Sequence, residues 1–121
     1  MNVNVLEYLE ASTAKTPQKM VFADETKEIS YIEGFGKYCI IHMLSEREKE
    51  IECHETLAAI EERLPKDIFY RCHKSYVVNL SHIDSYNRTS IFILSGEEVF
   101  ISRTKYKEFT EIYMNYLSRY L

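Results

Sequence analysis

Three short groups of residues carry the chemistry open to this chain. Arg71, His73 and Lys74 stand together in Arg-Cys-His-Lys, just before an alternating apolar run (Tyr76, Val78, Leu80) that encloses Asn79. Arg103 and Lys105 form a second group in Ser102-Arg103-Thr104-Lys105, at the expected start of a helix. In the third, Gly34-Phe35-Gly36 leads into Lys37, Tyr38 and Cys39. Ser102 suits an N-cap, its hydroxyl accepting from free first-turn amides. A helix N-terminus is already partly positive, so Arg103 and Lys105 fit there best if an anion completes the site. Two glycines would let a backbone approach closely, with Lys37 reaching a phosphate. Each group alone also fits an ordinary solvated turn. Together, on the edges of a β-rich domain, they point to an anionic polymer, above all DNA.

Other chemistry finds less support. The dipeptides Cys53-His54 and Cys72-His73 lack the CxxC spacing of a structural zinc site, and adjacent residues on a strand diverge. Nothing marks an orienting partner or an oxyanion hole for a Cys-His nucleophile. The glycine turn lacks the GxxxxGK[ST] spacing of a phosphate loop. Glu46, Glu48, Glu50 and Glu52 alternate along a solvated strand face, and Glu61-Glu62 sits on the outer face of a helix. No enzyme, metal or cofactor is expected. Cys72, beside Arg71 and near Lys74, has two readings: a thiol of lowered pKa that responds to oxidants, or a semi-buried inert one.

The elements that must position these groups fit one domain. The 121 residues can bury about two thirds of the unfolded surface, enough for a core without disulfides. The three cysteines have unrelated spacings, which favours a reducing cytoplasm, and no apolar run approaches a membrane span. Residues 1–18 read as a linker or N-terminal extension ahead of a domain over 19–121. Strands are expected at Met20-Val21-Phe22, Ile29 to Ile32, Tyr38 to Leu44, Glu48 to Cys53, Tyr76 to Leu80, Ile83 to Tyr86 and Ile91 to Leu94. Ser95-Gly96-Glu97 turns into a last strand, Val99 to Ile101. One short helix runs from Glu55 to Leu64, ended by Pro65, with Leu57, Ile60 and Leu64 on one face. A C-terminal helix from about Thr104 presents Tyr106, Phe109, Ile112, Tyr113, Tyr116 and Leu117. The class is mainly β with two helices.

The net charge of −4 is unevenly spread. Residues 1–70 hold 8 Lys and Arg against 14 Asp and Glu, whereas residues 71–107 hold 6 against 3. A basic segment on an acidic body can hold phosphate while the body limits non-specific binding.

The block FYRCHKSYVVNLSHI closely resembles the signature of the LytTR DNA-binding domain family, Phe-x-Arg-x-His-Arg-Ser-Tyr-x-Val-Asn followed by a strand ending near an Ile. Ile29-Ser30-Tyr31-Ile32-Glu33 with Gly36-Lys37-Tyr38 fits the family's first half, and Ile101-Ser102-Arg103 before Tyr106 its end. The resemblance covers about Lys19 to Leu117. It implies an elongated arrangement of small antiparallel β-sheets whose loops, rather than a recognition helix, enter successive major grooves at paired direct repeats. It also implies the output half of a bacterial response regulator, with a receiver domain N-terminal to this chain. On matching positions, Arg71, His73 and Lys74 face DNA in one segment, Arg103 and Lys105 in another, and Lys37, Tyr38 and Cys39 in a third. Arg103 is expected to read bases, and Lys37, Lys74, Lys105 and Lys107 to contact phosphate. Asn79 and Ser75 match the signature as residues that hold the loop and strand. Lys74 stands where the family commonly has Arg, and Cys72 where it has an aliphatic residue.

The expectation is thus a sequence-specific transcription regulator, monomeric alone and paired on double-stranded DNA. Two rivals differ in kind. A protein-interaction module would dock a partner on the tyrosine-rich helix (Tyr106, Tyr113, Tyr116, Tyr120), and an RNA-binding β-domain would need stacking aromatics on an exposed sheet.

Overall fold

The computed structural model describes residues 26–44 and 49–120. The strand expected at 20–22 and the linker expected over 1–18 lie outside them. Among the described residues, eight strands form two antiparallel sheets: β1 (Ile29–Gly34), β2 (Cys39–Met43), β3 (Glu50–Cys53), β4 (Phe69–His73) and β5 (Tyr76–Asn79) in the first, ordered β3-β2-β1-β5-β4, and β6 (Ile83–Tyr86), β7 (Ser90–Ile93) and β8 (Glu98–Phe100) in the second. Helix α1 (Leu57–Glu61) follows β3, and α2 (Tyr106–Tyr120) ends the described chain after a 3-10 turn at Arg103–Lys105.

Both faces of the first sheet are covered, which explains its sequence texture. Strand alternation sends Cys39, Ile41, Met43, Cys53, Phe69 and Val77 to one face, where they pack with Leu57, Ile60 and Leu64. The opposite face carries Tyr31, Tyr70, Cys72 and Val78 against Ile91, Ile93 and Val99 of the second sheet and Phe109 of α2. Ile29 and Ile32, three apart, share the first face because a bulge shifts the register between Ile29 and Tyr31. Phe69–His73, read above only as a cluster preceding a strand, is itself a strand, paired with β5 from Phe69↔Asn79 to His73↔Tyr76. Being buried on both faces, it lacks the apolar-polar alternation that would reveal it.

Helix α1 is shorter than its periodic pattern. Thr56 Oγ1 accepts from Ala59 N at 3.2 Å to start it. After Glu61 the bonds tighten to three-residue closures (Arg63 N to Ile60 O, Leu64 N to Glu61 O) ahead of Pro65. Leu64 still reaches the core.

The chain passes from one sheet to the other through Asn79 and a 3-10 turn at Leu80–His82. Fully buried Asn79 donates Nδ2 to Ile29 O at 2.8 Å, while Oδ1 accepts from Ser81 N (2.8 Å) and Ser81 Oγ (2.6 Å). His82 Nε2 lies 2.8 Å from Lys27 O and Nδ1 3.2 Å from Ser30 Oγ. A neutral ring with its proton on Nε2 satisfies both contacts. Burial pushes the His82 pKa below its ordinary value, against a weaker upward pull from the Lys27 carbonyl and Glu28.

Two stability predictions follow from this junction. Asn79→Ala strands the Ile29 carbonyl and the Ser81 amide, and should cost about 2–4 kcal/mol in urea unfolding. For His82 the unfolded chain gains its proton near pH ~6.5 and the folded chain only at lower pH. The stabilisation is therefore complete above that value and lost as pH falls through the folded pKa. Urea midpoints should drop across that window in the wild type and less steeply in His82→Gln.

Candidate nucleic-acid interface

The turns at one end of the first sheet bring two of the three groups together. Between β1 and β2, Phe35 N donates to Tyr38 O at 2.8 Å and Gly36 takes a φ of +79°, which closes a tight tip with Lys37 exposed. The Phe35 and Tyr38 rings stack at 5.2 Å between centroids, 15° apart. Gly34 serves the fold: a Cβ there would meet Leu57 Cβ at 3.0 Å, so its lack of a side chain admits α1. Between β4 and β5 the two-residue turn Lys74-Ser75 exposes Lys74. Gly34 N donates to Ser75 O at 2.8 Å, which ties the two tips.

Arg71 builds this second tip. Alternation turns it to the α1 face, where Nη1 meets Glu61 Oε1 at 2.8 Å. Nε donates to His73 O (3.0 Å) and Nη2 to Lys74 O (2.6 Å). The guanidinium thus fastens the turn's own carbonyls to α1, with the Arg71 side chain half-buried at the base of the tip. His73 Nδ1 accepts from Ser75 N at 3.0 Å, so Nε2 carries the proton as the ring's remaining donor.

The third group joins through β4, an edge strand. Ser102 N donates to Cys72 O at 2.8 Å, placing Arg103 next to the Lys74 turn. Ser102 has the extended backbone of a cap, yet its hydroxyl makes no capping bond, and its carbonyl accepts from Lys105 N at 2.9 Å instead. Arg103 is exposed and has no side-chain hydrogen bond or ion pair among the described residues. Lys105 turns back: Nζ lies 5.6 Å from the Tyr70 ring centroid and 3.9 Å from Glu108 Oε1, which also accepts from Tyr70 OH at 2.6 Å. Lys107 is exposed in the first turn of α2.

Arg88, part of the basic segment but outside the three groups singled out in the sequence, stands close to them in the fold. It sits in the Asn87-Arg88-Thr89 turn between β6 and β7, which Asn87 Oδ1 shapes by accepting from Thr89 N and Ser90 N, each at 2.9 Å. Ile101 N donates to Thr89 O at 2.9 Å, drawing this turn to Arg103. The Arg88 guanidinium lies 5.0 Å from the Tyr106 centroid, and Arg88, Thr89, Ile101, Arg103 and Tyr106 line a cleft of about 450 Å³. The available signal was a turn sequence between two strands inside the basic segment.

The cysteines of these groups are withdrawn from solvent. Cys39 is fully buried, its Sγ donating to Glu55 O at 3.2 Å, so its side chain is withdrawn from the tip. Cys72 is equally buried, with Sγ 3.5 Å from Phe100 O and 3.8 Å from Tyr76 O. Burial pushes the Cys72 thiol up to about 12, outweighing the pull of Lys105 and Arg71, and the Cys39 thiol up to about 11. Of the two readings of Cys72, its complete burial favours the inert thiol over the oxidant-responsive one.

The family model for the LytTr DNA-binding domain matches residues 19–114. The chain belongs to that family. Two curated relatives, the sensory transduction protein LytT of Bacillus anthracis and that of Bacillus cereus, are each 34% identical over 64 residues. The match takes in 49% of this chain and 26% of theirs, so it spans about a quarter of their length. Among solved structures, the LytTr DNA-binding domain of a response regulator from Bacillus cereus matches with a TM-score of 0.62 at 27% identity, over 71% of this chain and 81% of that one. The mainly β architecture with two antiparallel sheets and a C-terminal helix is the LytTr fold. In this LytTr domain, Lys37, Lys74, Arg88 and Arg103 all stand on exposed turns.

Thiol chemistry checks the burial directly. Cys39 and Cys72 should react with a neutral-pH thiol reagent only as fast as the domain opens, and rapidly once it is unfolded in urea.

Proposed function

We propose that this domain binds double-stranded DNA sequence-specifically as the output half of a bacterial response regulator, its turns entering successive major grooves at directly repeated promoter sites. The observation that carries this reading is the chain of three hydrogen bonds, Gly34 N to Ser75 O, Ser102 N to Cys72 O and Ile101 N to Thr89 O, that joins the turns bearing Lys37, Lys74, Arg103 and Arg88. Family membership supports the class of partner. The LytT relatives, named as sensory transduction proteins, extend well beyond the matched region, which leaves room in such a protein for a receiver domain.

Within this reading Arg103 reads bases, since its free guanidinium can fork onto guanine O6 and N7. Lys37, Lys74 and Lys107 contact phosphate, with Arg88 beside Arg103 on the second sheet. Arg71 contributes by holding the tip. The tyrosines of α2 favour the rival interaction module less than their number suggests. Tyr106, Tyr113 and Tyr116 pack against the core, and Tyr120 OH donates to Asp67 Oδ2 at 2.8 Å.

Gel-shift titrations of a random duplex pool at two salt concentrations test the proposal. They should enrich a direct repeat whose binding weakens steeply with salt. No retention at low salt would overturn it. On the enriched duplex, Arg103→Ala should cost about 1–3 kcal/mol and relax one base position. Lys74→Ala should lower the salt slope by about 0.9. Arg71→Ala should weaken binding with a smaller change of slope, because its charge is already paired with Glu61.

A further inference from the structure

The β1–β2 tip carries a feature that cation-phosphate chemistry does not use. Phe35 and Tyr38 are 45% and 37% exposed, stack on each other and belong to neither core. Reversing the chain needs Gly36 and the Phe35 N to Tyr38 O bond; it does not need two rings at the apex. Exposed apolar area costs hydration free energy unless something covers it. The stack is also held by a tight turn, so little freedom remains to be lost when it meets a partner.

The surroundings say what that partner offers. Lys37 lies between the two aromatics in sequence, and the Gly34 N to Ser75 O bond brings the Lys74 turn alongside. The nearest acid in sequence, Glu33, accepts from Tyr76 OH at 3.3 Å and lies 3.8 Å from His42 Nε2, so it is engaged within the sheet. An apolar point with a lysine on its own tip and another on the adjoining turn is complementary to apolar ground flanked by anions. The major groove supplies that at thymine, whose C5-methyl faces the groove between two phosphate rails.

We propose that Phe35 and Tyr38 act as one apolar reading head that contacts thymine C5-methyl groups in the major groove, adding a preference for A·T pairs to the guanine contact of Arg103. This rests on the DNA-binding reading above, and the test separates the two. Uracil lacks only the methyl and keeps every hydrogen-bonding group of thymine. The enriched duplex is therefore compared with one carrying uracil at each thymine, for the wild type, Tyr38→Phe and the double variant Phe35→Ala/Tyr38→Ala. Both side chains lie outside the cores, and urea midpoints confirm that the variants are folded.

Wild type and Tyr38→Phe should lose about fourfold in affinity per contacted methyl on the uracil duplex. The double variant should bind the thymine duplex more weakly and show no difference between the two. Equal wild-type binding to both duplexes would overturn this inference while leaving DNA binding intact. So would an undiminished uracil effect in the double variant, which would assign the methyl contact to another residue. Loss of the uracil effect in Tyr38→Phe would move recognition to the hydroxyl and overturn the apolar mechanism. Failure of the wild type to bind any duplex would remove both readings together.

Discussion

The cationic turns belong to two different sheets, so their geometry is set by whatever holds one sheet on the other. The covalent link is the passage Asn79–His82, and it is held by polar bonds rather than by packing alone. Asn79 has the right inventory for the place: an amide donor for the Ile29 carbonyl and an oxygen that accepts twice from Ser81. Aspartate would lack the donor, and an aliphatic residue would strand both sides. His82 adds a second tie to the stretch entering β1, through Lys27 O and Ser30 Oγ. Leu94 N donates to His82 O at 2.8 Å and Leu80 N to Ile68 O at 2.8 Å, so each sheet grips the passage directly. A rotation between the sheets would break several buried bonds at once, each costly without water to replace it. The spacing of Lys37 and Lys74 from Arg88 and Arg103 is thereby fixed before any ligand arrives.

The second constraint is how the cations are divided. Arg71 and Arg63 are spent inside the molecule. Arg63 pairs with Glu55 at 2.7 Å and donates to Ala59 O at 3.1 Å, while Arg71 joins Glu61 to two turn carbonyls. Arginine suits this work because its planar fork serves several acceptors with one side chain. The outward cations Lys37, Lys74 and Lys107 are lysines on flexible stems, suited to phosphates whose positions vary with duplex shape. Arg103 and Arg88 are the exposed arginines of the turns, and they meet at a cleft on the second sheet.

Much of this fold could be read from sequence, and the failures have physical causes. The helix faces (Leu57, Ile60, Leu64; Phe109, Ile112, Tyr113) and the strands β1, β2, β5, β6 and β7 carry periodicities that survive folding because their partners are apolar. β4 hid because Phe69, Tyr70 and Cys72 are buried on two faces, so no alternation remains. The internal partners of Arg71, Cys39 and Lys105 were hidden from sequence for a common reason. Residue type shows what a side chain can bind, and only the fold shows whether something nearby has already bound it. Arg71 finds Glu61, Cys39 finds the Glu55 carbonyl, and Lys105 finds Glu108 beneath Tyr70. Arg88 was passed over because a single arginine in a polar turn has no neighbour in sequence to mark it. Its companion, Arg103, is brought up through the Ile101–Thr89 bond.

The same pairing resolves the conflict between a net charge of −4 and a polyanionic partner. Acids close to the turns are in part paired with cations: Glu61 with Arg71, Glu108 with Lys105, and Glu55 with Arg63. A carboxylate paired with a structural cation contributes little field beyond a few ångströms, and salt screens the remainder within about 10 Å. Lys37, Lys74 and Arg103 have no such partner among the described residues, so unpaired positive charge gathers at the turns although the whole chain is negative. Glu50 and Glu52 lie on β3, the strand of the first sheet farthest from β4, and with Glu111 on α2 they keep the rest of the surface repulsive to phosphate. Charge of this pattern orients the encounter: an approach that brings the polymer to the unpaired cations of the turns also presents the turns themselves.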